Sequence, residues 1–245
     1  MLILNFPLVK KLILWYSVMI CTYKLFKSIY GGGNYMQHDF IYVTKAKAKS
    51  VRDELYQIIG EVHDIVRPDF TFQHRPVGSS SRNMITYDRK SNIGFDFDFD
   101  FEINDDDENY TPEEIRYIMK KAIDRVAPRY GYKHCEDSTR VLTIKKVNTY
   151  TSRILHSCDF ALVYNCKDGR QQYIRFNKQN NNYTWEYQGT GFKNLDNKIS
   201  WLKRNKYWGE LQDYYVEKKN LNNNPDKHSR SILAEAVNEM YQRKH

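Results

Sequence analysis

The sequence predicts a mixed α/β (α+β) fold: a small mixed or antiparallel sheet flanked by helices, then a short helical C-terminal part. Three observations carry this. "GFDFDFDFEI" (Gly94 to Ile103) alternates apolar and acidic residues with period 2, which is the pattern of a strand with one buried and one polar face. Val51, Leu55, Ile58, Ile59 and Val62 recur at helical spacing. The last fifty residues repeat such spacings without strand-like alternation, so helices close the chain.

The elements follow in order. A helix spans 44–66 and Pro68 ends it. Phe70 to Val77 alternates as a strand and leads into Gly78-Ser79. Residues 80–94 are polar and turn-rich, and the Phe/Asp strand follows. The acidic loop "NDDDENYTPEE" supplies a helix start: Thr111 as cap, Pro112 at the first helical position, and Glu114 three residues after the cap. That helix runs to Val126. Arg140 to Val147 and Cys158 to Asn165 read as strands. Lys167-Asp168-Gly169 is a hairpin turn from which "QQYIRFN" returns. A helix from Leu195 to Lys218 carries Leu195, Ile199, Leu202, Trp208 and Leu211 on one side, and a last helix spans Ser229 to Tyr241. No internal repeat is evident.

Composition bounds the function. The 245 residues are 41% hydrophobic and 15% aromatic with 20 Tyr, a globular and not a disordered composition. A net charge of +8 and a pI near 9.1 point to an anionic partner. The four cysteines lack CxxC spacing, so reduced thiols in a cytoplasmic protein are expected, with Cys158 and Cys166 near one another on a hairpin but no metal site. Residues 1–35 stand apart: Leu12 to Tyr23 is apolar and flanked by Lys10, Lys11, Lys24 and Lys27, without an acid. Twelve residues fall short of the roughly 20 that a spanning helix needs. Two readings stay open, a dispensable extension ahead of Met36 or a weak membrane contact. Without those lysines the net charge of +8 halves. The expected organisation is this extension (1–35), a core (36–190) and a helical region (191–245).

Asp96, Asp98, Asp100 and Glu102 line one face of one strand. Carboxylates this close repel and raise one another's pKa, so the face is either solvated, as on a protected edge strand, or holds cations. Asp159, in "SCDFALVY", is the candidate third ligand from a neighbouring strand; hard oxygen ligands of this kind suit Mg²⁺ carrying phosphates. "VGSSS", after a strand, is a turn whose backbone N–H groups can approach phosphate oxygens. "GSSSR" lacks the second glycine of a hydrolase nucleophile elbow. The run Asp105 to Glu108 lacks the spaced ligands and central glycine of an EF-hand and reads as a solvated loop. Arg82, Arg89 and Lys90 are phosphate-neutralising or merely loop cations. His74 reads as a strand surface residue, His156 as a residue that touches the site or does not, and Tyr164 or Tyr187 as a base-stacking candidate.

Gly78-Ser79, then Asp96-x-Asp98, then Asp159 resembles the polymerase β-like nucleotidyltransferase superfamily. "SWLKRNKYWGEL" (Ser200 to Leu211) and "HSRSILAEAV" (His228 to Val237) look like the two helices of cyclic GMP-AMP synthase, oligoadenylate synthetase and bacterial cyclic-oligonucleotide synthases that contact triphosphate. The resemblance covers roughly Phe70 to Tyr241. It implies a nucleotidyltransferase core in which Asp96, Asp98 and Asp159 hold two Mg²⁺ or Mn²⁺ ions, and Gly78, Ser79, Lys206 and Ser229 bind an NTP. The implied reaction is transfer of NMP to a nucleotide, RNA end, protein or small-molecule hydroxyl. Asp98 with Asp100 is the alternative register. A nucleotide-binding or interaction module without turnover, in a toxin–antitoxin or antiviral defence pair, is the alternative function. A merely structural acidic strand is the third. The 78-to-96 interval is longer than the family's, and the helical part shorter.

Overall fold

A computed structural model describes residues 38–105, 108–189 and 191–245; the expectations for residues 1–35 lie outside it, as does Cys21. Residues His38–His245 form one compact unit. It contains β1 (Phe40–Tyr42), α1 (Lys45–Val66), β2 (Thr71–Pro76), α2 (Gly78–Arg82), β3 (Thr86–Asp88), β4 (Phe95–Asn104), α3 (Pro112–Val126), and a 3₁₀ turn at Ala127–Tyr130. Then come β5 (Glu136–Asp137), β6 (Leu142–Asn148), β7 (Arg153–Asn165), β8 (Gln171–Asn177), β9 (Asn182–Tyr187), α4 (Leu195–Arg204), α5 (Trp208–Leu221) and α6 (Ser229–Lys244).

Seven strands make one sheet in the order β2-β4-β7-β6-β5, with β8 paired to the far end of β7 and β9 to β8; β1 and β3 make a separate two-stranded ribbon. Every pair is antiparallel except β4–β7, which is parallel. The alternation of β4 does what its sequence requires. Phe95, Phe97, Phe99 and Phe101 are buried and share a core with Leu55, Ile58, Ile59 and Val62 of α1 and with Met119 and Ile123 of α3. Complete burial of a side chain of this size is worth about 2 kcal/mol, so the strand has one stable facing and the carboxylates take the other side. The Thr111–Glu114 capping box forms as the sequence predicts. Thr44 caps α1 through Lys47 N–H.

A second core joins Ile199 and Leu202 of α4, Leu211 and Tyr215 of α5, and Ile232, Ala236, Val237 and Met240 of α6, with Met84 after α2 inserted among them. The predicted helix over 195–218 is two helices. Lys206 adopts φ +65° between them, and Tyr207 N–H turns back to the carbonyl of Leu202. The apolar spacing persists across the break, which is why the sequence does not reveal it. The strands β1, β3 and β9 are also unforeseen: two have three residues, and β9 is hidden in an Asn-rich segment whose Tyr183 and Trp185 pack on the main core. Among the described residues no helix is long and apolar enough to cross a membrane.

Candidate active site

The site is built on the parallel β4–β7 pair. Asp98 is the direct register partner of Asp159, and Asp96 of Ser157. Strand alternation therefore brings Asp96, Asp98 and Asp159 onto the face opposite the phenylalanines. β6 continues the face: Thr143 is opposite Asp159 and Lys145 opposite Ser157. The Thr143 hydroxyl donates to Asp159 Oδ1 at 2.6 Å, and the Ser157 hydroxyl donates to Asp96 Oδ1.

Electrostatics mark the same place. Burial, then the charges of Asp159, Asp96 and Asp100, push the Asp98 carboxyl up to about 7. Burial also raises Asp159, with Asp96 adding to the effect and the Thr143 hydrogen bond opposing it. Asp100 differs. Arg75, its partner on β2, donates to its Oδ2 at 3.0 Å, and Gln171 reaches the same oxygen at 3.4 Å. Of the acids on this face, only Asp100 has a cationic partner within 4.0 Å among the described residues; Asp96, Asp98 and Asp159 have none and lie together, and Glu102 has none but lies apart. Glu102 lies further along the strand, opposite Gln73 and Val163.

The donor set suits a hard divalent cation: three carboxylates from two adjacent strands, two of them in direct register, whose mutual repulsion a cation relieves. Among the described residues, no group of three or more His, Cys, Asp or Glu side chains closes round a common point. The Thr143 and Ser157 hydrogen bonds give the reason, since they turn Asp159 and Asp96 toward their strand neighbours. Rotation about side-chain torsions, without backbone change, is what convergence requires.

The Gly-Ser turn closes on this site. Val77 N–H donates to the Asp98 carbonyl at 2.9 Å, and Asp98 N–H donates to Ser80 Oγ at 3.1 Å. Gly78 opens α2 with φ +60°, and a Cβ there would stand 3.0 Å from Asp98 Oδ2. Both the left-handed backbone and the close approach call for glycine. Ser79 is half-buried beside it. Ser229 begins α6; burial raises the Tyr215 phenol of α5, and the Ser229 hydroxyl and the Arg82 cation oppose that rise. Arg82 bonds the Gly78 carbonyl at 2.9 Å and faces Asp196 at 3.5 Å. Gly78, Ser79, Arg82 and Ser229 thus share one end of the molecule.

Lys206 is not with them. It is exposed at the α4–α5 joint, where Tyr207 stacks on Trp201 and Trp201 packs on Tyr241. Tyr241 is twelve residues past Ser229 on α6, about 18 Å along a helix. The lysine that reaches the carboxylate side is Lys219, near the other end of α5. It is buried, bonds the Thr86 hydroxyl at 2.7 Å and lies 3.9 Å from the centre of the Phe40 ring. Burial pushes its ammonium down to about 8, against the pull of Asp96 and Asp88. Among the described residues it has no carboxylate within 4.0 Å. Its neighbour Lys218 points the other way, to Glu239. Only the helical phase of "EKKN" separates the two, and a break upstream hides that phase.

Other candidates fall outside. His156 faces the core, hydrogen-bonds Tyr132 at 2.8 Å, and is held neutral by burial down to about 4. His74 packs against Tyr56. Arg89 pairs with Asp39. Tyr164 lies near Trp185 on the core side, and Tyr187 takes Arg170 over its ring at 4.0 Å. Cys158 is fully buried in β7 and Cys166 lies beyond that strand's end; both are free thiols.

No family model matches the chain, and no curated protein matches it. Solved structures do. Vibrio cholerae DncV cyclic AMP-GMP synthase, a prokaryotic cGAS homologue, superposes with a TM-score of 0.58 at 11% identity, over 84% of this chain and 69% of that one. Its 3′-deoxy GTP-bound form gives 0.58 at 11%, over 82% and 67%. Escherichia coli DncV, also bound to 3′-deoxy GTP, gives 0.50 at 14%, over 83% and 55%. The chain therefore spans about two thirds of the Vibrio synthase, and 44% of Bradyrhizobium diazoefficiens CD-NTase CdnG. With strand order, register and site geometry in place, the likeness shows the fold: the chain has the fold of the Vibrio cholerae DncV cyclic AMP-GMP synthase.

Proposed function

We propose that this protein is a Mg²⁺- or Mn²⁺-dependent nucleotidyltransferase that moves a nucleoside monophosphate from an NTP to a hydroxyl acceptor and releases pyrophosphate. The observation that carries the reading is the in-register pairing of Asp98 with Asp159, with Asp96 on the same face and Gly78 closed against Asp98. Asp96, Asp98 and Asp159 would hold two divalent ions, which when bound neutralise phosphate charge and activate a hydroxyl.

The chain's own groups do the positioning. Thr143 and Ser157 hold Asp159 and Asp96 toward their strand neighbours, and side-chain rotation would bring both carboxylates round to the ions. Gly78 presents a bare backbone beside Asp98, so that the triphosphate can approach the turn; Ser79 contributes its N–H and hydroxyl. Arg82, Ser229 and buried Lys219 supply cationic and hydroxyl donors on that side, with Lys219 in the place that the resemblance gave to Lys206. The acceptor then comes from the β7–β6 side, with its hydroxyl oriented by Asp159. Its oxygen bonds to the α-phosphorus as the bond to pyrophosphate breaks in line. Alignment and preorganised charge supply the rate, with no covalent intermediate on the chain.

Calorimetric titration with non-hydrolysable NTP tests this. The reading predicts affinity that requires Mg²⁺, is abolished by EDTA, and falls at least tenfold in Asp98→Ala. Binding that ignores both the metal and the substitution contradicts it.

A further inference from the structure

The face that carries Asp159 continues along β7 beyond the carboxylates. Leu155, Ser157 and Asp159 alternate onto it; the register shift between Lys146 and Val147 interrupts the alternation beyond them, so Arg153 borders the face at the start of the strand. The next residues away from Asp159 and Ser157 are unexpectedly apolar. Leu155 is 42% exposed, and Ile93, in the loop that opens β4, is 60% exposed. The two are neighbours: Ile154 N–H bonds the Asn92 carbonyl at 3.0 Å, and Gly94 lies so close to the Leu155 carbonyl that a Cβ there would meet it at 2.1 Å. Tyr150, at the tip of the β6–β7 hairpin, is 98% exposed. Cations flank this shelf. Lys145 stands opposite Ser157, between the shelf and Asp159. Arg153 follows Leu155 outward, and Lys90 begins the loop that carries Ile93. Lys145 pairs with Glu136 at 2.6 Å; among the described residues neither Arg153 nor Lys90 has a carboxylate within 4.0 Å.

An exposed apolar shelf with interleaved cations, continuous with a carboxylate site, fits a chain of flat apolar faces joined by anions. We propose that the acceptor is the 3′ end of a single-stranded nucleic acid, its terminal hydroxyl at Asp159 and its preceding bases on Leu155 and Ile93. This deepens the nucleotidyltransferase reading and rests on it. Leu155 lies four residues from Asp159, about 13 Å along the strand, so a free mononucleotide held at Asp159 does not need the shelf, whereas the base behind a terminal nucleotide reaches it. Lys145, Arg153 and Lys90 supply the phosphate contacts, and apolar contact with the flat face that every base presents makes the track tolerant of sequence. A peptide acceptor without acidic side chains would leave Arg153 and Lys90 without anions to meet.

The test is the affinity of the full chain for a short 5′-fluorescein-labelled single-stranded RNA, followed by anisotropy over a salt series. Three phosphate contacts give a log–log salt slope of about −2. Leu155→Asp weakens binding about tenfold, Arg153→Glu flattens the slope, and Tyr117→Asp, on exposed α3, changes neither; thermal unfolding of each variant separates loss of track from loss of fold. Added NTP and Mg²⁺ extend the RNA. Absence of RNA binding at low salt, equal binding by Leu155→Asp, or incorporation of label only into free nucleotides or into polypeptide overturns the proposal. RNA binding is read without turnover, so its failure is distinct from failure of metal-dependent NTP binding.

Discussion

Asp98 and Asp159 face each other across the parallel β4–β7 pair, register partners that come from positions sixty-one residues apart in the sequence. Two carboxylates so placed destabilise the protein that holds them. Asp98 is pushed from 3.8 up to about 7. Its folded form therefore keeps a proton that the unfolded chain has lost. That contribution to stability is present below about pH 4 and is lost as pH rises through 7. Asp98→Asn removes the titration. Without divalent metal, the variant is predicted to be more stable than the parent at pH 8 by about 2 kcal/mol, some 5 °C in Tm, with the gap closing toward pH 4. Calorimetry of both proteins across that range checks it; a gap independent of pH contradicts it.

Asp100 is held by Arg75 and Gln171, whereas Asp96 has only the Ser157 hydroxyl among the described residues. Asp96→Ala is predicted to cut nucleotidyl transfer more than about 100-fold, the loss of several kcal/mol of charge stabilisation. Asp100→Ala keeps activity within about threefold. Steady-state pyrophosphate release compares the two, and the reverse order selects the Asp98–Asp100 register.

Lys219→Met keeps the packing stem and deletes the ammonium. NTP affinity is predicted to fall about tenfold, while Lys206→Ala leaves it unchanged. Equilibrium binding of a fluorescent NTP reads both. A larger effect at Lys206 would restore the assignment drawn from the resemblance.

Gly94 has no room for a side chain, because a Cβ would overlap the Leu155 carbonyl. Gly94→Ala is predicted to lower stability by about 3 kcal/mol, more than 6 °C in Tm. It pries apart the strand pair that aligns Asp98 with Asp159, so activity falls with stability. An unchanged Tm contradicts this account of the pairing.

The Phe/Asp alternation of β4 was legible because period 2 and complete burial of one face leave the strand a single facing. The pairing with Asp159 was legible for the same reason on β7. What the sequence hid was phase and contact. The helix break at Lys206 has no Gly or Pro at the break itself, Gly209 falling inside the helix that follows, so the side chains beyond it come out rotated, and the inward lysine of "EKKN" becomes Lys219 and not Lys218. Asp100 looks like its neighbours until Arg75, twenty-five residues earlier, is placed across from it. Thr143, Ser157 and Ser80 are ordinary strand and turn residues until the register aims them at the carboxylates.

The most direct test of the central claim is pyrophosphate release from each NTP in Mg²⁺ or Mn²⁺, alone and with RNA, by the parent and by Asp98→Ala and Asp159→Ala. The account predicts metal-dependent release with a new nucleotidylated product, lost in both variants. Absence of turnover under all these conditions, or turnover that survives loss of Asp98 and Asp159, would contradict it.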